Sequence, residues 1–127
     1  MSRTLAQERS LFALAQVEST AGVEKFDKLV AGLPAMILQN GFGQSLAFLL
    51  AKGTDKNGTI KENDKHTRAF DIITKWLNQR NIMQTTGRSE PVRKLAEMSQ
   101  QEYLHAQEES LALLEWVKRY ANAGLFK

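Results

Sequence analysis

The run LPAMILQNGFGQSLAFLLAK, residues 33–52, constrains the fold more than any other stretch of the chain. Apolar residues fill both ends, and two glycines stand near the middle as Asn40-Gly41-Phe42-Gly43. Three readings compete: a membrane span, a phosphate-cradling loop and a buried helix. The first fails because Gln39, Asn40, Gln44 and Ser45 would lie at mid-membrane, where polar groups are costly. The second fails on spacing. A dinucleotide loop needs a third glycine at position 46, which is leucine, and a strand before it. A Walker loop needs Gly-Lys-Ser/Thr, and the only basic residue nearby is Lys52. What remains is a helix apolar almost all round, hence central. Glycine inside a helix costs about 1 kcal/mol relative to alanine. Gly41 and Gly43 are therefore expected to serve close packing, beside a stripe of small or polar residues at Asn40, Gln44, Ala47 and Ala51.

The rest of the chain also reads as helix, because Val, Ile and Thr never alternate with polar residues over a strand length. The expected fold is all-α, a compact single-domain bundle of about five to six helices over residues 1–127. Helix one spans about Thr4 to Glu18, opened by a Thr4/Gln7 capping box. A short segment follows from about Gly22 to Ala31, ended by Gly32, with Pro34 in the first turn of the central helix. Residues 53–64 and 80–89 read as flexible loops. The first is no EF-hand, since Gly58 comes two places early and no glutamate stands at the twelfth position. Asp64 caps a helix from about Lys65 to Gln79, with Asp71 and Lys75 as an i,i+4 pair. Ser89, Glu90 and Pro91 open a short helix to about Met98. Ser99 and Glu102 box the start of the last helix, about Gln100 to Asn122.

Composition excludes more than it assigns. There is no cysteine, so disulfides and thiolate metal sites are out, and a reducing cytoplasm is expected. The N-terminus lacks the apolar stretch of a signal peptide. A chain of 127 residues buries roughly two-thirds of its unfolded surface, enough for a core without metal. Glu102-x-x-His105 is half of a di-iron helix motif, but its second half and the inward carboxylates are missing. His66 and His105 have no nucleophile partner. Neither an enzyme, nor a cofactor, nor a metal is expected.

The net charge of +3 is uneven. Residues 66–94 carry +4, whereas residues 95–127 carry −2. A basic middle is either a solvated face or a polyanion-facing side. On the second view the RNA-contacting candidates are Lys52, Arg68, Lys75, Arg80, Arg88, Arg93, Lys94, Lys118 and Arg119. On a helical wheel of the last helix, Tyr103, Leu104, Ala106, Leu111, Leu114, Val117 and Ala121 form the expected core face. Leu113, Trp116 and Tyr120 form a second stripe, either packed inside the domain or presented to a protein partner. Glu108, Glu115 and Arg119 mark the wet side, with Glu115 and Arg119 paired.

Two stretches carry a signature. LPAMILQNGFGQSLAFLLAK and YLHAQEESLALLEWVKRYANA, residues 103–123, resemble the two motifs of the small-subunit family of Cmr (type III-B) CRISPR RNA-guided effector complexes. Asn40, Gly41, Gly43 and Gln44 are its structural tag here. Departures from the pattern are mild: Phe42 for Leu, Ser45 for Thr, Gln107 for Thr, Ser110 for Ala and Val117 for Leu. The resemblance implies an all-α protein without catalytic activity. Copies would stack head to tail as the minor filament of a ribonucleoprotein, beside the guide-binding backbone subunits. They would help hold guide and target RNA in antiviral defence, while other subunits cut. The implied partners are other Cmr subunits, further copies of the chain, and the two RNAs; no membrane is involved. Head-to-tail contacts are heterologous and can propagate without closing. The competing function is a helical adaptor with a protein partner and no nucleic acid. A helix-turn-helix fits less well, because the loop after the central helix is too long.

Overall fold

The structure, a computed structural model, describes residues 2–124. Six helices follow in chain order: α1 Leu5–Ser19, α2 Phe26–Asn40, α3 Phe42–Lys52, α4 Lys65–Gln79, α5 Ser89–Glu97 and α6 Gln100–Asn122. No strand occurs among the described residues; Thr54 and Ile60 form one isolated antiparallel bridge. The all-α expectation holds.

Three helix starts lie where side-chain chemistry puts them. The Thr4 hydroxyl accepts from the Gln7 N–H at 3.1 Å, and the Gln7 amide oxygen accepts from the Thr4 N–H at 2.8 Å. Asp64 accepts from the His66 N–H at 2.8 Å. Ser99 and Glu102 close the corresponding box on α6. Each satisfies backbone donors that a helix start leaves open.

The central stretch departs from expectation in two ways. Gly32 does not end a helix, and Pro34 does not start one: α2 runs through both. Pro34 has no N–H to give the Val30 carbonyl, which normally breaks a helix. Here Val30, Leu33 and Ile37 are all buried, and packing outweighs the lost bond. The break falls instead at Gly41, with φ 92° and ψ 156°, a conformation open to glycine and strained for other residues. Residues 33–52 are therefore parts of two helices, not one. Of the two glycines, Gly41 is required by its backbone conformation, whereas Gly43 faces Tyr103. Its N–H donates to the Tyr103 hydroxyl at 2.8 Å, and a Cβ there would lie 3.4 Å from that oxygen. The run is not apolar-buried all round either: Leu38 is 68% exposed.

The hub is α6, against which α1 and α2 chiefly pack, while α3 and α4 pack on each other. The core joins Phe12, Val30, Leu33, Phe42, Leu46, Leu49, Phe70, Trp76, Leu113 and Leu114, among others. The buried face of α6 is Ala106, Glu109, Ser110, Leu113, Leu114, Val117 and Ala121. Leu104, expected inside, is 43% exposed. Glu109, one residue from the exposed Glu108, is inside.

Ser110 yields a direct prediction. Its hydroxyl is buried and has no hydrogen-bond partner. A stranded buried polar group costs about 1–3 kcal/mol. Ser110→Ala is expected to raise stability by about 1 kcal/mol, read as a higher midpoint in urea unfolding. A lower midpoint would refute the reading of Ser110 as unsatisfied.

Candidate nucleic-acid and protein interfaces

The nine basic candidates fall into two groups. Arg88 belongs wholly to the first. Its Nε and Nη2 donate to the two Asp71 carboxylate oxygens at 2.9 and 2.8 Å. Its Nη1 and Nη2 donate to Glu62 at 3.1 and 2.7 Å. Asp71, and then Glu62, hold this guanidinium charged and raise its pKa. Arg88 thus ties the 53–64 segment and α4 to the start of α5. It also draws Asp71 away from Lys75, so the expected Asp71–Lys75 pair is replaced.

Others are engaged more weakly. Arg68 Nη2 donates to the Ser19 carbonyl and hydroxyl at 2.8 and 3.0 Å, a cation at the C-terminal end of α1. Arg80 pairs with Glu8 at 3.3 Å and lies 5.9 Å from the Trp76 ring centroid. Lys118 pairs with Glu115 at 3.4 Å, displacing the expected Glu115–Arg119 pair. Lys52 stands 5.9 Å from the Phe48 ring centroid.

Lys75, Arg93, Lys94 and Arg119 form the second group. All four are exposed, and none has an ion-pair or hydrogen-bond partner among the described residues. The Arg88 clamp ties the start of α5 to α4 at Asp71, while the body of α5 packs on α3. Lys75 lies one turn beyond Asp71 on α4, whereas Arg93 and Lys94 lie in the middle and last turn of α5. Arg119 stands apart, on α6.

The aromatic stripe divides as well. Leu113 is fully buried and belongs to the core, with no surface to offer a partner. Trp116 and Tyr120 are half-buried, their ring centroids 5.9 Å apart. The Tyr120 and Ser10 hydroxyls lie 2.5 Å apart, joining α6 to α1. Trp116 lines an open groove with Arg3, Ala6, Gln7, Ser10 and Leu11. Leu11 is 49% exposed there, so it adds to this surface rather than to the core. Of the motif residues, Asn40 and Gln44 line a second groove with Met36 and Phe48. Gly41 and Gly43 shape the helix junction beside them.

Sequence reasoning missed one polar centre. Arg9 Nε and Nη2 donate to the Glu109 oxygens at 2.7 and 2.9 Å, and Trp76 Nε1 donates to the same carboxylate at 3.0 Å. The Arg9 guanidinium holds Glu109 below the usual glutamate range, against burial, with Trp76 assisting. A signal exists: Glu109 lies three residues after Ala106 and four before Leu113, on the same helical face. The histidines stay apart. His66 Nδ1 is 2.8 Å from Asp64, whereas His105 is exposed on α6.

A family model described as CRISPR-associated protein (Cas_Cmr5) matches residues 5–124. The chain belongs to this family. The Cas_Cmr5 match covers both motifs, 33–52 and 103–123, and makes the chain a Cmr (type III-B) complex subunit. The fold agrees with a solved relative, the X-ray crystal structure of a CRISPR-associated Cmr5 family protein from Thermus thermophilus. The two align with a TM-score of 0.72 over 95% of this chain and 97% of that one, at 24% identity. Other Cmr subunits are thus its partners. None of the described helices is long and apolar enough to cross a membrane.

Proposed function

We propose that this Cas_Cmr5 chain is a non-catalytic structural subunit that stacks head to tail in the minor filament of the cytoplasmic effector complex and helps hold guide and target RNA. The family match over residues 5–124 carries this reading. The free cations support its RNA half. Lys75, on α4, and Arg93 and Lys94, on α5, offer unpaired positive charge, suited to phosphates rather than base edges. Arg88, Arg68, Arg80 and Lys118 serve the fold first, through the partners described above. For the protein half, Leu11 takes the place of the buried Leu113 beside Trp116 and Tyr120.

Lys75→Glu, Arg93→Glu and Lys94→Glu together should weaken RNA retention in the assembled complex. The plot of log affinity against log salt should flatten by roughly one unit per lost phosphate contact. RNA retention unchanged across a salt series would overturn the assignment of these three residues. Arg88 is unsuited to this test, because its replacement also releases Asp71 and Glu62.

A further inference from the structure

Gly41 alone separates α2 from α3. The N-cap of α3, Gly41, has no side chain with which to cap the helix. The residues on either side, Ile37 to Asn40 and Phe42 to Leu46, all lie in helix already, Gly43 being the one weak helix former among them. The break is held by tertiary contacts. In an uninterrupted helix the Gly43 N–H would donate to the Gln39 carbonyl. Here it donates to the Tyr103 hydroxyl instead. The buried Phe42 ring meets Tyr103 edge-on, centroids 6.3 Å apart.

The two sides of this junction are bound to each other through α6 and, less extensively, through α4, where Trp76 meets Phe12, Arg68 meets Ser19 and Arg80 meets Glu8. Helices α1 and α2 pack on α6, with Arg9 on Glu109, Ser10 on Tyr120, and the Asn122 amide on the Asp27 carbonyl. If the junction straightens, α1–α2 swings off its own α4–α6 face. The one surface that then offers the same contacts is the α4–α6 face of another copy.

We propose that the Gly41 junction is a domain-swapping hinge. On straightening, α2 and α3 fuse into one helix of roughly 40 Å over residues 26–52. Two copies then exchange their α1–α2 units, each docking on the other's α4–α6 face. Complementarity is guaranteed, since every swapped contact already exists within one chain. Glycine tolerates the bent conformation, which keeps the unswapped form favoured in the natural chain. A side chain at this position would strain only the bent form.

Gly41→Ala in the full chain is therefore expected to favour dimerisation by roughly tenfold to a hundredfold per chain, read by size exclusion with light scattering. Cysteines placed by Ser10→Cys and Tyr120→Cys, in a chain that has none of its own, report the topology. A short bis-maleimide should join chain to chain in the swapped dimer and close within one chain in the monomer. A folded Gly41→Ala monomer overturns the proposal, and so does a dimer cross-linked only within chains. Should Gly41→Ala be insoluble, Tyr103→Phe decides. It removes the acceptor that holds the bend but leaves the glycine. A rise in chain-to-chain cross-linking over the unmodified hinge supports the hinge, and no rise overturns it.

Discussion

Glu109→Ala should lower the stability of the domain by about 3 kcal/mol. Glu109 is 6% exposed, and its carboxylate satisfies three donors, two on Arg9 and one on Trp76. Its loss leaves a guanidinium with no counter-charge and a buried indole N–H with no acceptor. Arg9 is 20% exposed and can turn partly to water, which keeps the loss at the low end for a broken buried pair. Glu109→Gln should cost less, because it keeps an acceptor for one donor. The pH dependence has a definite sign. The folded-state pKa lies below the unfolded value, so this stabilisation is complete above the ordinary glutamate pKa, about 4.3. It is lost as pH falls through the depressed value. Urea midpoints measured from pH 7 downward should converge for wild type and Glu109→Gln in that acid range. Curves that stay parallel to the lowest pH would contradict the assignment.

Gly53→Ala should cost about 2 kcal/mol, although its φ of −80° is ordinary for any residue. The obstacle is steric. An added Cβ would sit 2.1 Å from Thr67 Oγ1 and 3.3 Å from both Thr67 Cβ and the Leu49 carbonyl oxygen. Thr67 is buried and β-branched on α4, so its hydroxyl has few other places to go. Its Oγ1 also donates to the Gly53 carbonyl at 3.3 Å. Thr67→Ala should therefore recover part of the loss in the double variant. A double-mutant cycle in thermal unfolding measures that coupling. Strict additivity would show that the 53–67 contact is not what restricts position 53.

How far the fold is legible depends on where its causes lie in the chain. The starts of α1, α4 and α6 are readable because Thr4, Asp64 and Ser99 act on N–H groups two or three residues away. The α2–α3 break is not. Gly32 and Pro34 carry the local signals for a boundary, but the boundary at Gly41 is set by Tyr103, some sixty residues further along the chain. A similar separation hides the role of Arg88. Asp71 has a suitable partner four residues away in Lys75, yet a bidentate guanidinium from the next loop takes it. Charge alone cannot tell a cation spent on the fold from one left free. Lys75, Arg93, Lys94 and Arg119 stand out as the free ones only once their neighbours are known. Leu113 and Glu109 mark the same limit on α6, where a wheel turned by a fraction of a residue exchanges core and surface.

The central claim, a structural subunit of an RNA-guided complex, is tested most directly by what accompanies the chain in its own cell. A tagged copy expressed at native level and purified gently should bring down several larger proteins and a short RNA of defined length. Nuclease-protected RNA should fall with the Lys75, Arg93 and Lys94 reversals while the proteins remain. Recovery of a single protein partner with no RNA above a neutral control would contradict the account and favour a helical adaptor.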